Sequence, residues 1–246
     1  MINILVLAAG ASSPDNDGRG EYPLCILEMD GVPLIQRQIQ LSKSLGIQKF
    51  IIALRDFDIR KFHLDNIVKL LEPEAIILNI SKETNGAACT ALLACEHIDN
   101  DEELLILNGN ELLNEDYLAI ISHFTKLKCT AGVVTFSSIH PRYSYVRLDD
   151  LGFVIQVAEK NPISRNAIVG FYWFAKGRFF VKAAMEMIRK DASVNGVFYI
   201  SPALNELVLD GAHIGVYNVE NDKYIPIKNE KQILKFELST EKENHK

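Results

Sequence analysis

The sequence predicts an α/β fold built on a mixed, mainly parallel sheet with flanking helices. Apolar runs of strand length alternate with amphipathic stretches of helical length through the first half of the chain. In the second half, several strand-like runs follow one another with few helices between them, which predicts an antiparallel extension. A length of 246 residues suits one large domain, which we expect to span 1–236, followed by a polar tail at 237–246.

The order of elements in the first half is that of strands joined by helical crossovers. Pro33 suits the first turn of a helix, Gly46 suits its C-terminal end, and Asn114 is a candidate N-cap of a later helix. This alternation implies parallel strands with right-handed crossovers. The predicted strands are Ile2–Ala8, Lys49–Leu54, Ala75–Ile80 and Leu104–Leu107, and the predicted helices are Pro33–Leu45, Ile59–Leu71, Gly86–Glu96 and Asn114–Lys126.

The second half is richer in strands. Asp149-Asp150-Leu151-Gly152 has the composition of a hairpin turn between two of them. The predicted strands are Ala131–Thr135, Tyr145–Leu148, Val154–Glu159, Val169–Phe174 and Ile214–Asn218, and the predicted helices are Gly177–Arg189 and Pro202–Leu209.

Charge and composition exclude several classes of partner. The balance of 26 basic and 32 acidic residues gives a net charge of −6, which argues against general affinity for nucleic acid or anionic membranes but permits a local phosphate pocket. The first residues lack the basic region of a signal peptide, and no apolar run approaches the ~20 residues of a membrane span. The four cysteines lack metal-site spacing, which indicates reduced thiols. We therefore expect a soluble, cytoplasmic protein.

Two predicted strand ends have the composition of a ligand site. Small residues around Gly10 follow the first strand in ILVLAAGASS, where backbone N–H groups can approach a phosphate, although such turns also occur for steric reasons alone. The run LILNGNELL ends a second strand in Asn108-Gly109-Asn110-Glu111. In open α/β sheets, ligands bind in the crevice beyond the carboxyl ends of the strands.

Six segments, in chain order, resemble motifs of the sugar-phosphate nucleotidyltransferase family. LAAG and then EYPLCILEMDGVPLIQRQI, at 21–39, resemble its opening pattern L-A-A-G-x-G-[ST]-R, P-K-P-L and G-K-P-[LM]-[IV]. TNGAACTALLA, at 84–94, resembles the segment that meets the nucleotide base, and LNGNELL resembles the L-N-G-D element. QVAEKNPIS, the strand Ala167–Phe174 and NGVFYISPALNEL are similar to later family segments, so the resemblance covers nearly the whole chain.

This resemblance implies a single Rossmann-like domain of the nucleotide-diphospho-sugar transferase type. The family's reaction joins a nucleoside triphosphate to a sugar 1-phosphate or similar phosphate and releases pyrophosphate. The reaction usually uses one or two Mg²⁺ ions held by two aspartates. The resemblance is also compatible with a homo-oligomer. Such chemistry depends mainly on positioning and charge neutralisation, so cationic groups are decisive.

The resemblance also assigns binding roles. Glu159 matches the acid that bonds acceptor hydroxyls, Lys160 the lysine that meets the acceptor phosphate, and Gly170 a backbone contact to the sugar. A surface ion pair and a packing glycine are the alternatives for these positions. Arg142 is a candidate for the anionic acceptor, although a polar strand face explains it equally well. The nucleotide-binding candidates are Ala8, Ala9, Gly10, Ala11, Ser12, Ser13, Gly86, Ala87, Asn108 and Gly109.

Four charged positions of the family pattern are replaced. Pro14 stands at the signature arginine, Leu24 at the lysine of P-K-P-L, Asn110 at the first metal-binding aspartate and Pro226 at the second. One preorganised electrostatic group typically contributes about 3–4 kcal/mol of transition-state stabilisation, and groups that act together are not additive. The charges have therefore been either relocated or abandoned.

Other residues are candidates for the relocated charges. Arg19 and Lys228 could supply positive charge, and the magnesium candidates are Asn110, Glu111 and Asp222. Glu111 is a weaker candidate for the carboxylate expected at Asn110, because adjacent residues on a strand point to opposite faces of the sheet. An ordinary solvated loop charge is the alternative for each of them.

Two functions are compatible with this pattern. The favoured one is a nucleotidyltransferase that activates a sugar phosphate or related small phosphate for surface-polysaccharide precursors, with Arg19, Lys160 and Lys228 as catalytic cations. The alternative is a catalytically lapsed module of the same fold that binds a nucleotide or nucleotide-sugar. A glycosyltransferase of the related fold ranks last because no D-x-D follows the strand.

Overall fold

The structure, a computed structural model, describes residues 1–10 and 22–227. The strands among them are β1 (Ile2–Leu7), β2 (Glu28–Met29), β3 (Val32–Pro33), β4 (Ile47–Arg55), β5 (Ile76–Ile80), β6 (Glu103–Asn108), β7 (Glu111–Leu113), β8 (Ala131–Ser137), β9 (Ser144–Leu148), β10 (Val154–Glu159), β11 (Asn166–Phe174), β12 (Ile214–Asn218) and β13 (Tyr224–Pro226). The helices are α1 (Leu34–Ser42), α2 (Asp56–Phe62), α3 (Leu64–Leu71), α4 (Ala87–Leu92), α5 (Cys95–Ile98), α6 (Tyr117–Lys126), α7 (Gly177–Arg189) and α8 (Ile200–Leu209).

The main sheet confirms the predicted fold class. Strands β6, β1, β4 and β5 lie side by side and are parallel. On the other side of β6 lies β11, which is antiparallel to it, followed by β8 and β12. The hairpin of β9 and β10 extends the sheet beside the first half of β11, which is the predicted antiparallel extension.

Both faces of the sheet are buried, because the central strands alternate apolar side chains between two cores. Ile4 and Val6 of β1 belong to one hydrophobic cluster, whereas Leu5 between them belongs to the other. The first cluster includes residues of α1, α3 and α6, and the second includes residues of α4, α7 and α8. Near-continuous apolar strands such as ILVL are typical of sheets covered on both faces.

Local sequence signals explain two of the turns between elements. Gly46 ends the first helical segment in the left-handed conformation (φ 60°), as predicted. The predicted hairpin turn is confirmed: Asp149 Oδ1 accepts from the backbone N–H groups of Leu151 (3.0 Å) and Phe153 (2.8 Å), and Gly152 has a φ of 86°.

Three predictions of helices were wrong in detail. The stretch predicted as one helix from Ile59 is divided into α2 and α3 by His63, whose φ of 53° interrupts the helical backbone. The helix predicted from Gly86 is likewise divided into α4 and α5. The N-cap of α6 is Asp116, whose Oδ1 accepts from the Leu118 N–H (2.9 Å), whereas the Asn114 N–H donates to the Lys223 carbonyl oxygen (2.8 Å).

The outer edge of the antiparallel extension is covered by a side chain. Strand β10 lies at one end of the sheet order, next to α8. Asn205 of α8 accepts from the Val157 N–H (2.8 Å) through Oδ1 and donates to the Val157 carbonyl oxygen (2.9 Å) through Nδ2. Its amide therefore occupies the hydrogen-bonding groups that a further strand would use at this residue.

All four cysteines lie among the described residues. Cys25 and Cys129 are buried, Cys89 and Cys95 are partly buried, and all four thiols are free. Within 1–10 and 22–227, no helix combines the length and the apolar character needed to cross a bilayer.

Candidate functional site

A cavity of about 640 Å³ lies at the carboxyl ends of the parallel strands. The turns after β1, β4, β5 and β6 form its walls, together with the segment that precedes α8. Its lining includes Leu7, Ala8, Ala9, Gly10, Leu24, Cys25, Arg55, Lys82, Thr84, Gly86, Ala87, Asn108, Gly109, Asn110, Glu111 and Tyr199. The structure thus brings together every nucleotide-binding candidate that it describes; Ala11, Ser12, Ser13 and Arg19 lie outside the described residues.

Small residues are required where β1 and β6 end side by side. The Ala8 N–H donates to the Ala53 carbonyl oxygen (3.0 Å), and the Gly109 N–H donates to the Leu7 carbonyl oxygen (2.9 Å). A methyl group added at Gly109 would lie 2.6 Å from the Ala8 Cβ, well inside contact distance. These backbone contacts hold the two turns together as one wall of the cavity.

The segment before α4 is bound by backbone hydrogen bonds to the segment before α8. The Phe198 N–H donates to the Asn85 carbonyl oxygen (2.8 Å), and the Ala88 N–H donates to the Phe198 carbonyl oxygen (2.9 Å). Gly86 lies between them with a φ of 121°, and any side chain there would collide with the Phe198 backbone. Only glycine fits this position, so the base segment of the resemblance has a structural reason for its glycine.

The turn after β6 is clamped by one side chain. Gln38 Nε2 donates to the carbonyl oxygens of both Asn108 and Glu111, each at 2.8 Å. The Glu111 carboxylate accepts from Asn108 Nδ2 (2.7 Å) and from the Gly170 N–H (2.9 Å). Burial and the Glu111 carboxylate also raise the pKa of the nearby Tyr224 hydroxyl. Both Glu111 oxygens are therefore engaged in holding β6, β11 and the turn together.

The magnesium candidates do not assemble into one carboxylate site. Asn110 lines the cavity, and its carbonyl oxygen accepts from the Ile227 N–H (2.9 Å) where β13 lies against β7. In this register Pro226 lies opposite Glu111 and Tyr224 opposite Leu113, so Asp222, in the turn before β13, lies beyond the end of the β7–β13 ribbon that is farther from Asn110.

The described residues also contain no group of three or more His, Cys, Asp or Glu side chains placed to hold a metal ion. Of the magnesium candidates, Asn110 offers an amide and Glu111 a carboxylate that is already hydrogen-bonded. Within 1–10 and 22–227, the two-aspartate arrangement implied by the resemblance is therefore not reproduced.

The candidates for the acceptor lie beside the cavity. Glu159 Oε2 accepts from Ser201 Oγ (2.8 Å) and from Ser144 Oγ. Lys160 follows with a φ of 54°, and its Nζ donates to the hydroxyl of Tyr199, a residue of the cavity wall.

Two other acceptor candidates are engaged elsewhere. Arg142 is exposed, donates from Nε to His140 Nδ1 (3.1 Å) and lies over the Tyr143 ring, and it is not among the residues that line the cavity. The N–H of Gly170 is paired with Glu111, and a Cβ there would lie 2.6 Å from the Asn108 Cβ. The packing role considered for this glycine therefore has a physical basis.

The substituted positions change the chemistry of the cavity wall. Leu24 and Asn110 both line the cavity, where the resemblance expects a lysine and an aspartate. Burial and the Asp58 carboxylate raise the pKa of the adjacent Cys25 thiol to about 12, so it is uncharged at neutral pH. Pro14 and Lys228 lie outside the described residues.

Sequence reasoning missed four residues of this site. Arg55 and Lys82 are cations in the lining, and Arg55 forms a bidentate pair with the buried Asp58 (2.9 Å for one of its two bonds). Tyr199 and Gln38 were also missed: both lie in segments that resemble the family, at 195–207 and 21–39, but the resemblance assigns neither of them a role. A signal existed only for Arg55, which ends a strand at the edge where ligands bind.

An α/β sheet of this order, with a cavity at the carboxyl ends of its parallel strands, defines a protein of the nucleotide-diphospho-sugar transferase fold. The family model described as nucleotidyl transferase matches residues 19–206. Among solved structures, the nucleoside-diphosphate-sugar pyrophosphorylase from Vibrio cholerae RC9 superposes with a TM-score of 0.78 and 22% identity, covering 97% of this chain and 100% of that one.

Two relatives are similar over most of the sequence. The chain is 23% identical over 242 residues to the bifunctional protein GlmU of Alkaliphilus metalliredigens, covering 95% of this chain and 50% of that protein. It is 22% identical over 225 residues to the UTP–glucose-1-phosphate uridylyltransferase AglF of Haloferax volcanii, covering 88% and 87%. The chain thus spans about half the length of the bifunctional relative. Because the family model matches most of the sequence, the chain belongs to the nucleotidyl transferase family.

Proposed function

We propose that this protein transfers a nucleotidyl group from a nucleoside triphosphate to a small phosphorylated acceptor, most simply a sugar 1-phosphate. The observation that supports this is the cavity of about 640 Å³, which joins the turn after β1, the Gly86 segment and the turn after β6. Its volume lies within the roughly 300–1,000 Å³ of small-molecule sites. Lys160 reaches the same wall through Tyr199.

In this reaction an oxygen of the acceptor phosphate forms a bond to the α-phosphorus of the triphosphate. The bond between the α-phosphorus and the bridging oxygen breaks, and pyrophosphate leaves with the electron pair. The chain's contribution is to align the two phosphates and to neutralise charge. Lys160 would orient the acceptor phosphate and Glu159 the acceptor hydroxyls, while Arg19 and Lys228 would supply charge near the leaving group.

We further propose that the product is a nucleotide-sugar for surface-polysaccharide synthesis, made in the cytoplasm. The support is the similarity to relatives named as a uridylyltransferase of glucose 1-phosphate and a nucleoside-diphosphate-sugar pyrophosphorylase. The nucleotide base is left to experiment.

A second candidate function is a binding module that has lost catalysis. Leu24 and Asn110 favour it, since both line the cavity where a lysine and an aspartate would serve catalysis. The engagement of Glu111 with Asn108 and Gly170 points the same way, because no free carboxylate replaces Asn110 in this turn.

A panel of ligands tests whether the chain has a nucleotide-binding site. Thermal melting is measured with CTP, UTP, dTTP, GTP and ATP, each with and without magnesium, and pyrophosphate release is followed with glucose 1-phosphate as acceptor. A ligand at 100 times its Kd adds about 2.7 kcal/mol to the free energy of unfolding. Stabilisation by one triphosphate together with pyrophosphate release supports transfer. No stabilisation by any of them would refute the proposal.

A paired back-substitution separates the two candidates. The variant L24K/N110D restores the two family charges in the cavity wall. Turnover that appears only in this variant identifies a lapsed enzyme, whereas loss of turnover that the natural chain possesses identifies chemistry carried by other cations. L70K is the matched control, because Leu70 is 85% exposed on α3 and does not line the cavity.

A further inference from the structure

Tyr199 connects three parts of the candidate site. Its side chain lines the cavity, and it lies directly before the first residue of α8. The backbone of its neighbour Phe198 is hydrogen-bonded to Asn85 and Ala88 on either side of Gly86. The position of Tyr199 is therefore fixed by the same backbone contacts that shape the nucleotide side of the cavity.

Lys160 is held at both its backbone and its side chain. Its φ of 54° is a left-handed conformation that non-glycine residues rarely adopt, and its N–H donates to the Tyr143 carbonyl oxygen (3.0 Å). Its Nζ donates to the Tyr199 hydroxyl and lies 4.6 Å from the centroid of the Tyr199 ring. Within the described parts of the chain, Tyr199 is the sole hydrogen-bond partner of this ammonium group.

Glu159, the residue before Lys160, is held by the segment that contains Tyr199. Glu159 Oε2 accepts from the hydroxyls of Ser201 (2.8 Å) and Ser144, whose two oxygens lie 2.9 Å apart. Glu159 is thus hydrogen-bonded to Ser201, and Lys160 is hydrogen-bonded to Tyr199. This pairing fixes the end of β10 against the start of α8.

We propose that Tyr199 is a positioning residue that places the Lys160 ammonium group at the cavity wall, ready to bind a phosphate of the acceptor. A lysine side chain loses considerable rotamer entropy when it is ordered, and the ring and hydroxyl of Tyr199 order it before the ligand arrives. The inference rests on the proposed function for the identity of the anion. The placement of Lys160 by Tyr199 is independent of it.

The placement is tested by NMR on the folded chain with ¹³C-methylated lysines. The Lys160 methyl signal is assigned by its disappearance in Lys160→Arg. We expect the ring current of Tyr199 to displace it from the position of a solvated lysine in the natural chain, to displace it less in Tyr199→Phe, which lacks the hydroxyl, and to have no effect in Tyr199→Leu. A Lys160 signal at the solvated position in the natural chain would overturn the placement.

The role in anion binding is tested by titrating the same signals with inorganic phosphate. Because one charged hydrogen bond and one cation–π contact are lost, we expect the Kd of phosphate at Lys160 to rise about three- to tenfold in Tyr199→Leu, and less in Tyr199→Phe. Tyr217→Leu is the control, since Tyr217 lies on β12 and packs against His123, away from the cavity. An unchanged Kd in a folded Tyr199→Leu would refute the role.

A kinetic measurement adds a readout that a merely structural residue would not move. With glucose 1-phosphate as acceptor, Tyr199→Phe should raise the KM for the acceptor and leave the KM for the triphosphate unchanged. An equal rise in both would contradict a role confined to Lys160. Because the NMR measurements need no turnover, they decide the placement of Lys160 even where the proposed function fails.

Discussion

Asn108 and Gly170 share one small space where β6 ends beside the middle of β11. The Asn108 side chain fills the position that a Cβ on residue 170 would take, and from there it donates to Glu111. The Gly170 N–H donates to the other oxygen of the same carboxylate. The glycine thus allows one carboxylate to connect two strands and the turn.

Gly170→Ala should therefore destabilise the protein by about 1–3 kcal/mol through overpacking. Asn108→Gly removes all the side-chain atoms that would collide, including the Cβ. In that background the cost of Gly170→Ala should fall by about 1 kcal/mol or more, since the two residues are in contact. Urea denaturation of the two single variants and the double variant measures this coupling, and strictly additive free energies would contradict it.

Glu103 is a second residue whose surroundings set its behaviour. Its carboxylate is half-buried and accepts from the Trp173 indole N–H (3.1 Å), and burial raises its pKa. As the pH rises through the interval between the ordinary and the raised pKa, the unfolded state binds fewer protons than the folded state, so the free energy of unfolding falls. Ionised Glu103 therefore opposes folding at neutral pH.

Glu103→Gln keeps an acceptor for Trp173 and cannot ionise. We expect this variant to be more stable than the natural chain at pH 7, and the difference to shrink below the ordinary glutamate pKa of about 4.3. Chemical denaturation at both pH values measures this. A variant that is less stable at pH 7 would show that the ionised form is favoured in the fold.

At the scale of elements, α8 both caps a sheet edge and carries residues of the site. Asn205 pairs with both backbone groups of Val157, as a neighbouring strand would, while Ser201 one turn earlier contacts Glu159. One helix thus fixes β10 at two points. Loss of either contact should loosen the strand that ends in Glu159 and Lys160.

Asn205→Leu should cost about 1–3 kcal/mol of stability, because it leaves a donor and an acceptor of β10 without a partner. Asn205→Asp retains the acceptor for the Val157 N–H and should cost less. Hydrogen exchange at the Val157 amide is the local measurement. Exchange that is no faster in Asn205→Leu would show that the side chain does not protect this edge.

Long elements with a regular apolar pattern were predictable from the sequence. Short strands that form only by pairing with a segment far away in the sequence were not. The bounds of α7 were predicted as observed, because thirteen residues carry a clear helical pattern. Strands β7 and β13 have three residues each and exist because they pair with each other across the chain. The break at His63 was missed because nothing in the sequence requires a left-handed backbone there.

The site was predictable in its location but not in its contacts. The strand-end rule and the resemblance led to Gly10, Gly86 and Asn108 on the cavity wall. The register of the β7–β13 ribbon, which separates Asp222 from Asn110, could not be read from the sequence. The contact between Lys160 and Tyr199 depends on the packing of α8 and was equally hidden.

At the scale of the whole molecule, the main sheet is continuous from β5 to β12 and β10. Trp173, the single tryptophan, lies on β11 near the middle of this sheet and stacks on Phe124 of α6, with ring centroids 5.6 Å apart. Its fluorescence therefore reports on the junction between the parallel and antiparallel portions.

If 1–236 is one domain, Trp173 fluorescence and far-UV circular dichroism should give one common midpoint in urea. Coincident transitions are the expected behaviour of a cooperative unit, although chains longer than about 150 residues often depart from it. Two separated midpoints would show that the parallel portion unfolds independently. Phe124→Leu, which weakens the junction, should shift both signals together.

The position of β11 has a consequence for synthesis on the ribosome. Strand β8 pairs with β11 and β12, and both follow it in the chain. The parallel portion through β6 can therefore assemble as it emerges, but β8 has no partner until β11 has been translated and has inserted beside β6. Until then β6 and β8 both present unpaired edges, which invite association between nascent chains. We therefore expect association between nascent chains to be most favoured while the stretch between β8 and β11 is being translated.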